Sequence, residues 1–209
     1  MDQLYDFGSK LLSSTVQAHA KGLNRGADHD ELSDHLKLIL GDYGNIVFPV
    51  SFHQEYGKNM TDILDTGYSS LYLISDKMVR TMQEHKLEGW KTFDCKLFDK
   101  KGNEVHGYHG LSITGRCGEI DYSKSEIIKK QLVAGGSITD YYKGKYINPE
   151  TFDKGDFFLP KNNYGPIINT RAMKALSGAR LSNIRFKALS EIETPEFGLP
   201  SKWRKKNLL

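Results

Sequence analysis

One pattern in this chain occurs twice, and it limits the folds open to the rest. The first copy reads Leu73-Ile74-Ser75-Asp76-Lys77-Met78-Val79-Arg80-Thr81-Met82, followed by Leu87-Glu88-Gly89-Trp90. The second reads Ile167-Ile168-Asn169-Thr170-Arg171-Ala172-Met173-Lys174-Ala175-Leu176, followed by Leu181-Ser182-Asn183-Ile184. A shift of 94 positions brings Ile74 onto Ile168, Met82 onto Leu176 and Leu87 onto Leu181. Each copy joins an apolar strand end, a polar helix cap, a short amphipathic helix, a Gly or Asn stop and a new strand. Units of this kind build a scaffold, and neither copy carries a catalytic constellation. The pattern points first to a binding protein and away from an enzyme.

The remaining chain predicts helices at the front and strands behind them. Leu4, Phe7, Leu11, Leu12 and Val16 follow i, i+3/i+4 spacing, which predicts a helix over 2–20 that Gly22 ends. Asn24 to Asp28 reads as a loop, and Leu32, Leu36, Ile39 and Leu40 predict a second helix from Asp30 to Leu40, stopped at Gly41. The period then changes to two: Ile46, Phe48, Val50 and Phe52 predict a strand, with Pro49 marking an edge or a bulge. Leu71 to Ile74 reads as a buried strand, and Ser75 or Asp76 caps the helix that carries Met78, Val79 and Met82. Phe93, Cys95 and Leu97 alternate along one strand, Asp99 to Asn103 is a hairpin turn, and the return strand covers Val105 to Thr114. Ile127, Ile128 and Leu132 suit a helix over Ser123 to Leu132 or an ordered loop. Ile138 to Ile147 and Phe157 to Leu159 read as strands before the second copy of the pattern.

Hairpins dominate and regular βα alternation is missing. The expected class is therefore α+β, with a mostly antiparallel sheet, short packed helices, the duplicated strand–helix–strand cassette and an N-terminal helical segment. The expected layout is one domain over 1–195, with helices in 1–43 and the sheet-containing core in 45–192, and then a basic tail over 196–209.

Charge and cysteine usage narrow the function classes. The net charge is +3, and Lys202, Arg204, Lys205 and Lys206 supply four positive charges at the extreme C-terminus. Without them the body carries about −1, which weakens the case for a nucleic-acid-binding face on it. No apolar run approaches the roughly 18 residues that span a bilayer, so no membrane partner is expected. The N-terminus, with Asp2 and Asp6, lacks the basic start of a secretory signal. Two cysteines do not make a disulfide framework, so cytoplasmic residence with free thiols is expected. A single Cys95–Cys117 bridge stays open, because the two lie on neighbouring predicted strands.

The segments Thr61-Asp62-Ile63-Leu64, Leu73-Ile74-Ser75-Asp76 and Leu87-Glu88-Gly89-Trp90 resemble the core of bacterial immunity proteins from polymorphic toxin systems, near the double-CxxCG motif proteins. Phe157 to Leu189 resembles the C-terminal half of the same domains, so the resemblance covers roughly residues 60–190. It implies a cytoplasmic protein that neutralises a cognate protein toxin by binding it. It implies no chemistry and no cofactor. Occlusion of the toxin's active site is the expected mechanism, and a nuclease is one candidate toxin. Thr114-Gly115-Arg116-Cys117-Gly118 stands where a C-x-x-C-G knuckle is expected, with Thr114 in place of the first cysteine. No second knuckle exists, so no metal site is carried over.

Local features offer little chemistry. His106 and His109, three apart on a predicted strand, point to opposite faces. Cys117 beside Arg116 invites a lowered thiol pKa, yet no base or oxyanion donor accompanies it. These three residues frame the alternative of a small hydrolase or metal-dependent enzyme. The basic tail frames that of a nucleic-acid-associated protein. Gly115 to Gly118 and Ala134 to Ser137 lack phosphate-loop spacing. Asp62 and Asp65, if on a helical turn, share one face as a solvated pair or a cap. Asp28, Asp30, Glu31 and Asp34 form the densest acidic stretch, suited to a basic partner. Tyr141 and Tyr142 are aromatic candidates for the same partner surface. No catalytic, cofactor-binding or metal-ligating residue is expected.

Overall fold

The structure is a computed structural model that describes residues 3–23, 32–131, 136–200 and 203. In chain order its elements are β1 (Leu4–Ser9), β2 (Gln17–Ala20), α1 (Asp34–Leu40), β3 (Val50–Tyr56), β4 (Ile63–Asp65), β5 (Tyr72–Ser75), α2 (Asp76–Glu84), β6 (Trp90–Phe93) and β7 (Cys95–Phe98). There follow β8 (Glu104–Val105), β9 (Tyr108–Ile113), β10 (Arg116–Cys117), β11 (Glu126–Gln131), β12 (Ile138–Lys143) and β13 (Phe157–Pro160). The last are β14 (Ile167–Asn169), α3 (Thr170–Gly178), β15 (Ile184–Ala188) and β16 (Glu193–Pro195).

The fold is α+β, built mostly of strands in mixed sheets. One sheet runs β6-β9-β5-β4-β2-β3-β7-β8, a second β10-β13-β14-β1-β15 and a third β11-β12-β16. The pairs β2–β4, β3–β7 and β10–β13 are parallel, and the other pairs of described strands are antiparallel.

The 94-residue shift extends well beyond the helices. Ile63 pairs with Ile74 and Leu64 with Leu73, while Phe157 pairs with Ile168 and Phe158 with Ile167. Both register pairs are related by that same shift. In one unit β9 lies between β5 and β6; in the other β1 lies between β14 and β15. Both helices run over nine residues and are capped alike: Ser75 Oγ accepts from Met78 N–H, and Asn169 Oδ1 accepts from Ala172 N–H. Such caps satisfy backbone donors left open at a helix start. Lys86 and Arg180, also 94 apart, both adopt positive φ (50° and 51°), as do Gly89 and Asn183 (87° and 62°). One apolar core runs through both units and includes Phe7, Ile63, Ile74, Met78, Phe157, Ile168 and Leu176.

Several sequence expectations need correction. Residues 4–9 and 17–20 are strands, not one helix over 2–20. The helical spacing of Leu4 and Phe7 is real, but β1 gains ladder bonds on both sides from β14 and β15, more than 150 residues away. Among the described residues of the expected N-terminal helical segment, only α1 is helical. It begins at Asp34 and ends at Gly41, whose N–H reaches the Leu38 carbonyl from a left-handed conformation.

The strand expected from Ile46 starts at Val50, after Pro49. Phe93 and Cys95 belong to different strands, because β6 stays beside β9 while β7 crosses to β3 and β8. Residues 126–131 are a strand paired along its length with β12, not a helix. Glu193 to Pro195 adds β16 to that hairpin, and Leu199 is buried against Ile120, Tyr122 and Tyr142. Leu199, within the stretch expected as tail, is thus part of a packed cluster.

Candidate functional site

Residues 10–16 link β1 to β2, and the turn at Leu11 and Leu12 forms a ridge. Leu11 is 75 % exposed and Leu12 51 %. The ridge is nevertheless pinned at both ends. Lys10 N–H donates to the Asn183 carbonyl at 3.0 Å, and the Ser14 carbonyl accepts from Lys58 and Asn59 N–H at 2.9 Å each. Thr15 N–H closes a turn onto the Leu12 carbonyl at 2.9 Å. Gly57, at φ 71°, lies so close to the Thr15 carbonyl that no larger residue fits. Leu11 itself has φ 52°, a left-handed conformation that costs a side-chain-bearing residue about 1–2 kcal/mol.

Two hollows flank the ridge and share Leu11, Gln17 and Asp65. One is a cavity of about 330 Å³ with Asp6, Tyr68, Tyr72 and Arg185 in its walls. The other, of about 250 Å³, is closed by Leu12 and by Tyr56, which is 63 % exposed. The cavity lies where β1 of one unit meets β4 of the other. Asp6 is occupied by Arg185 at 2.7 Å. Asp65 accepts a 2.6 Å hydrogen bond from Ser9 Oγ. Burial holds the Asp65 carboxyl above the usual carboxylate range, and the Ser9 bond only partly offsets it. Burial also lifts the Tyr72 phenol to about 12, helped by the charges of Asp65 and Asp6. Tyr68 is fixed from behind by His19 and His35, stacked on it at 4.9 Å and 5.1 Å.

The sequence from residue 14 to residue 191 matches the immunity protein family Imm11. That span exceeds four-fifths of the chain. The chain belongs to the Imm11 immunity protein family. No curated protein matches it. Imm11 membership points to toxin immunity in general. No described helix is long and apolar enough to cross a membrane.

In this Imm11 protein the residues expected at the partner surface are scattered. Asp28, Asp30 and Glu31 lie outside the described residues, as do Lys202, Arg204, Lys205 and Lys206. Asp34 begins α1, with Lys37 Nζ 3.4 Å from its carboxylate. Tyr141 is half-buried, with Lys130 Nζ 5.6 Å from its ring centre. Tyr142 is only 7 % exposed and meets Tyr122 edge-on, so its ring faces a small core and not a partner surface.

The residues of the enzyme alternative have structural partners. His109 Nε2 lies 2.7 Å from Asp76 Oδ1, and His106 projects to solvent beside Glu104. No three His, Cys, Asp or Glu side chains converge on a metal position among the described residues. The Cys117 thiol is not lowered by Arg116. Burial pushes it up to about 12, Asp153 adds to that, and Arg116 opposes only in part. Arg116 instead spends its guanidinium on the carbonyls of Leu40, Ile113 and Gly115. Cys95, on β7, is also pushed to about 12 by burial, and neither cysteine is bridged. They lie in different sheets, not on neighbouring strands.

Asp62 and Asp65 do not share a face. Asp62 accepts from Ser75 Oγ at 2.7 Å and from Ser182 N–H at 2.7 Å. Its counterpart 94 positions on, Asp156, accepts from Asn169 Nδ2 at 2.9 Å and from Glu88 N–H at 2.9 Å. Each aspartate thus ties its own helix cap to the other unit. Extending the shift backwards from Ile74 to Asp62 would have found this pair in the sequence. Nothing local marked Leu11 and Leu12 as exposed, because their spacing matched a helix face.

Proposed function

We propose that the protein is a non-enzymatic immunity protein that binds a cognate secreted toxin and occludes the toxin's active site. The observation that carries this reading is the Imm11 match over residues 14–191. The side chains support it: both thiols are raised to about 12, and Asp62 and Asp156 serve the scaffold. A rigid sheet surface suits occlusion, since stable complexes bury about 800 Å² per partner and lose little to reordering. Asp28, Asp30, Glu31, Asp34 and Tyr141 remain proposed contributors, the acidic ones through attraction to a basic toxin. The proposed site of action is the cytoplasm, where unbridged cysteines persist.

The test is a pull-down from the native cell with tagged protein, followed by purification of the recovered toxin. The expected result is stoichiometric inhibition that competes with a substrate analogue of that toxin. A turnover of its own, lost on His109→Ala or Cys117→Ala, would sink the proposal. Inhibition that leaves the analogue bound would sink occlusion alone.

A further inference from the structure

Building on the toxin-binding reading, we propose that the toxin docks on the Leu11–Leu12 ridge and inserts a lysine or arginine side chain into the cleft beside Asp65. The ridge exposes two leucines and Tyr56 in one patch. A loop free to relax would turn such side chains inward. This one is held outward by backbone bonds to Asn183, Lys58 and Asn59, with Leu11 in a left-handed conformation. Apolar surface that is both exposed and pre-ordered loses little entropy on binding.

Charge decides what the cleft accepts. Asp65 sits in the shared wall of both hollows, beside the leucines. Its Ser9 hydrogen bond does not neutralise it, and the nearby guanidinium of Arg185 is committed to Asp6. No cation forms an ion pair with Asp65 among the described residues. An ammonium or guanidinium entering from outside would supply that charge in a partly desolvated setting, where ion pairing is stronger than in water. Beyond the ridge, Lys58 and Lys100 line a further hollow with Ser13. The patch therefore has the Asp65 carboxyl on one flank and two lysines on the other, which sets the direction in which a partner lies across it. Ile127 and Ile138 are exposed elsewhere, on the three-stranded sheet, and make a control surface.

The test uses the full chain and the toxin recovered by pull-down. Leu12→Asp and Asp65→Asn are each expected to raise Kd at least tenfold by calorimetry, about 1.4 kcal/mol or more. Ile138→Asp should leave Kd within about twofold, below half of that energy. The Tm of free Asp65→Asn protein should be no lower than wild type, which separates lost contact from lost fold. A benzoyl-phenylalanine placed at position 12 should cross-link to a toxin peptide that contains Lys or Arg. Unchanged Kd for both ridge variants, or cross-links from position 138 and none from 12, would overturn the docking face while leaving immunity intact. Failure of the wild-type protein to bind any toxin would overturn both.

Discussion

Lys77 and Arg171, 94 positions apart, make the same contact in opposite directions. Lys77 Nζ donates to the Arg180 carbonyl at 3.1 Å, and Arg171 donates to the Lys86 carbonyl at 3.0 Å. Lys86 and Arg180 are themselves 94 apart and share a left-handed backbone. The start of each helix therefore lies beside the end of the other, so α2 and α3 run antiparallel. A cation meets the carbonyl-rich end of the neighbouring helix on both sides, where the helix dipole favours it. Asp62 and Asp156 repeat this reciprocity. The two units are joined by paired contacts, each made once in either direction.

Removing either clamp should loosen the join unequally. Asp156 is only 2 % exposed, and Asp156→Ala strands the Glu88 N–H and removes the bonds to the Asn169 amide and the Arg171 guanidinium. The expected loss is about 2–4 kcal/mol, or a Tm lower by roughly 4–16 °C. Asp62→Ala, nearer solvent, should cost about 1–2 kcal/mol. Thermal melts of the two variants check the order.

Asp62 and Asp65, three positions apart, should respond oppositely to acid. Burial raises the Asp62 carboxyl, but the N–H and hydroxyl of Ser182, the hydroxyl of Ser75 and the charge of Lys77 outweigh it, leaving the group below its ordinary range. Its stabilisation is present above the unfolded value of about 4 and is lost as pH falls through the lowered folded value. Asp65 is raised by burial, so it favours the folded state below about pH 4 and loses that contribution as pH rises through the raised value. Asp62→Asn should lower Tm at neutral pH and have little effect in acid. Asp65→Asn should raise Tm at neutral pH, with the gain fading below about pH 4. A Tm–pH series on both variants reads the two signs.

Gly89→Ala should destabilise sharply. Gly89 sits at φ 87°, and an added Cβ would overlap the Phe157 carbonyl oxygen across the join. Backbone strain and overpacking together predict about 2–4 kcal/mol, read from the denaturant midpoint at constant slope.

Both cysteines should resist alkylation in the native state. With Cys95 and Cys117 pushed up to about 12, the thiolate is scarce at neutral pH. Iodoacetamide labelling followed by mass spectrometry should show modification more than tenfold slower than after unfolding, in line with the pKa rise. Fast labelling of the folded protein would contradict the burial described for them.

The sequence by itself determined the caps of α2 and α3 and the turns after them, because their chemistry is local. Ser75 and Asn169 are polar caps before apolar helix faces, and Gly89 and Asn183 are residue types that tolerate a left-handed turn. It also determined the α+β class and, through the resemblance carried by residues 60–190, the immunity family. Tertiary structure alone decided the state of residues 4–9, where helical spacing yielded to ladder bonds from β14 and β15. It alone placed Tyr142 inside and Leu11 outside, and it turned Asp62 toward Ser182 while leaving Asp65 beside an open cleft. Caps and turns are set by neighbours within a few residues. Strand pairing, burial and charge pairing depend on residues as far apart as Tyr5 and Ala188, and no local pattern encodes which of them will arrive.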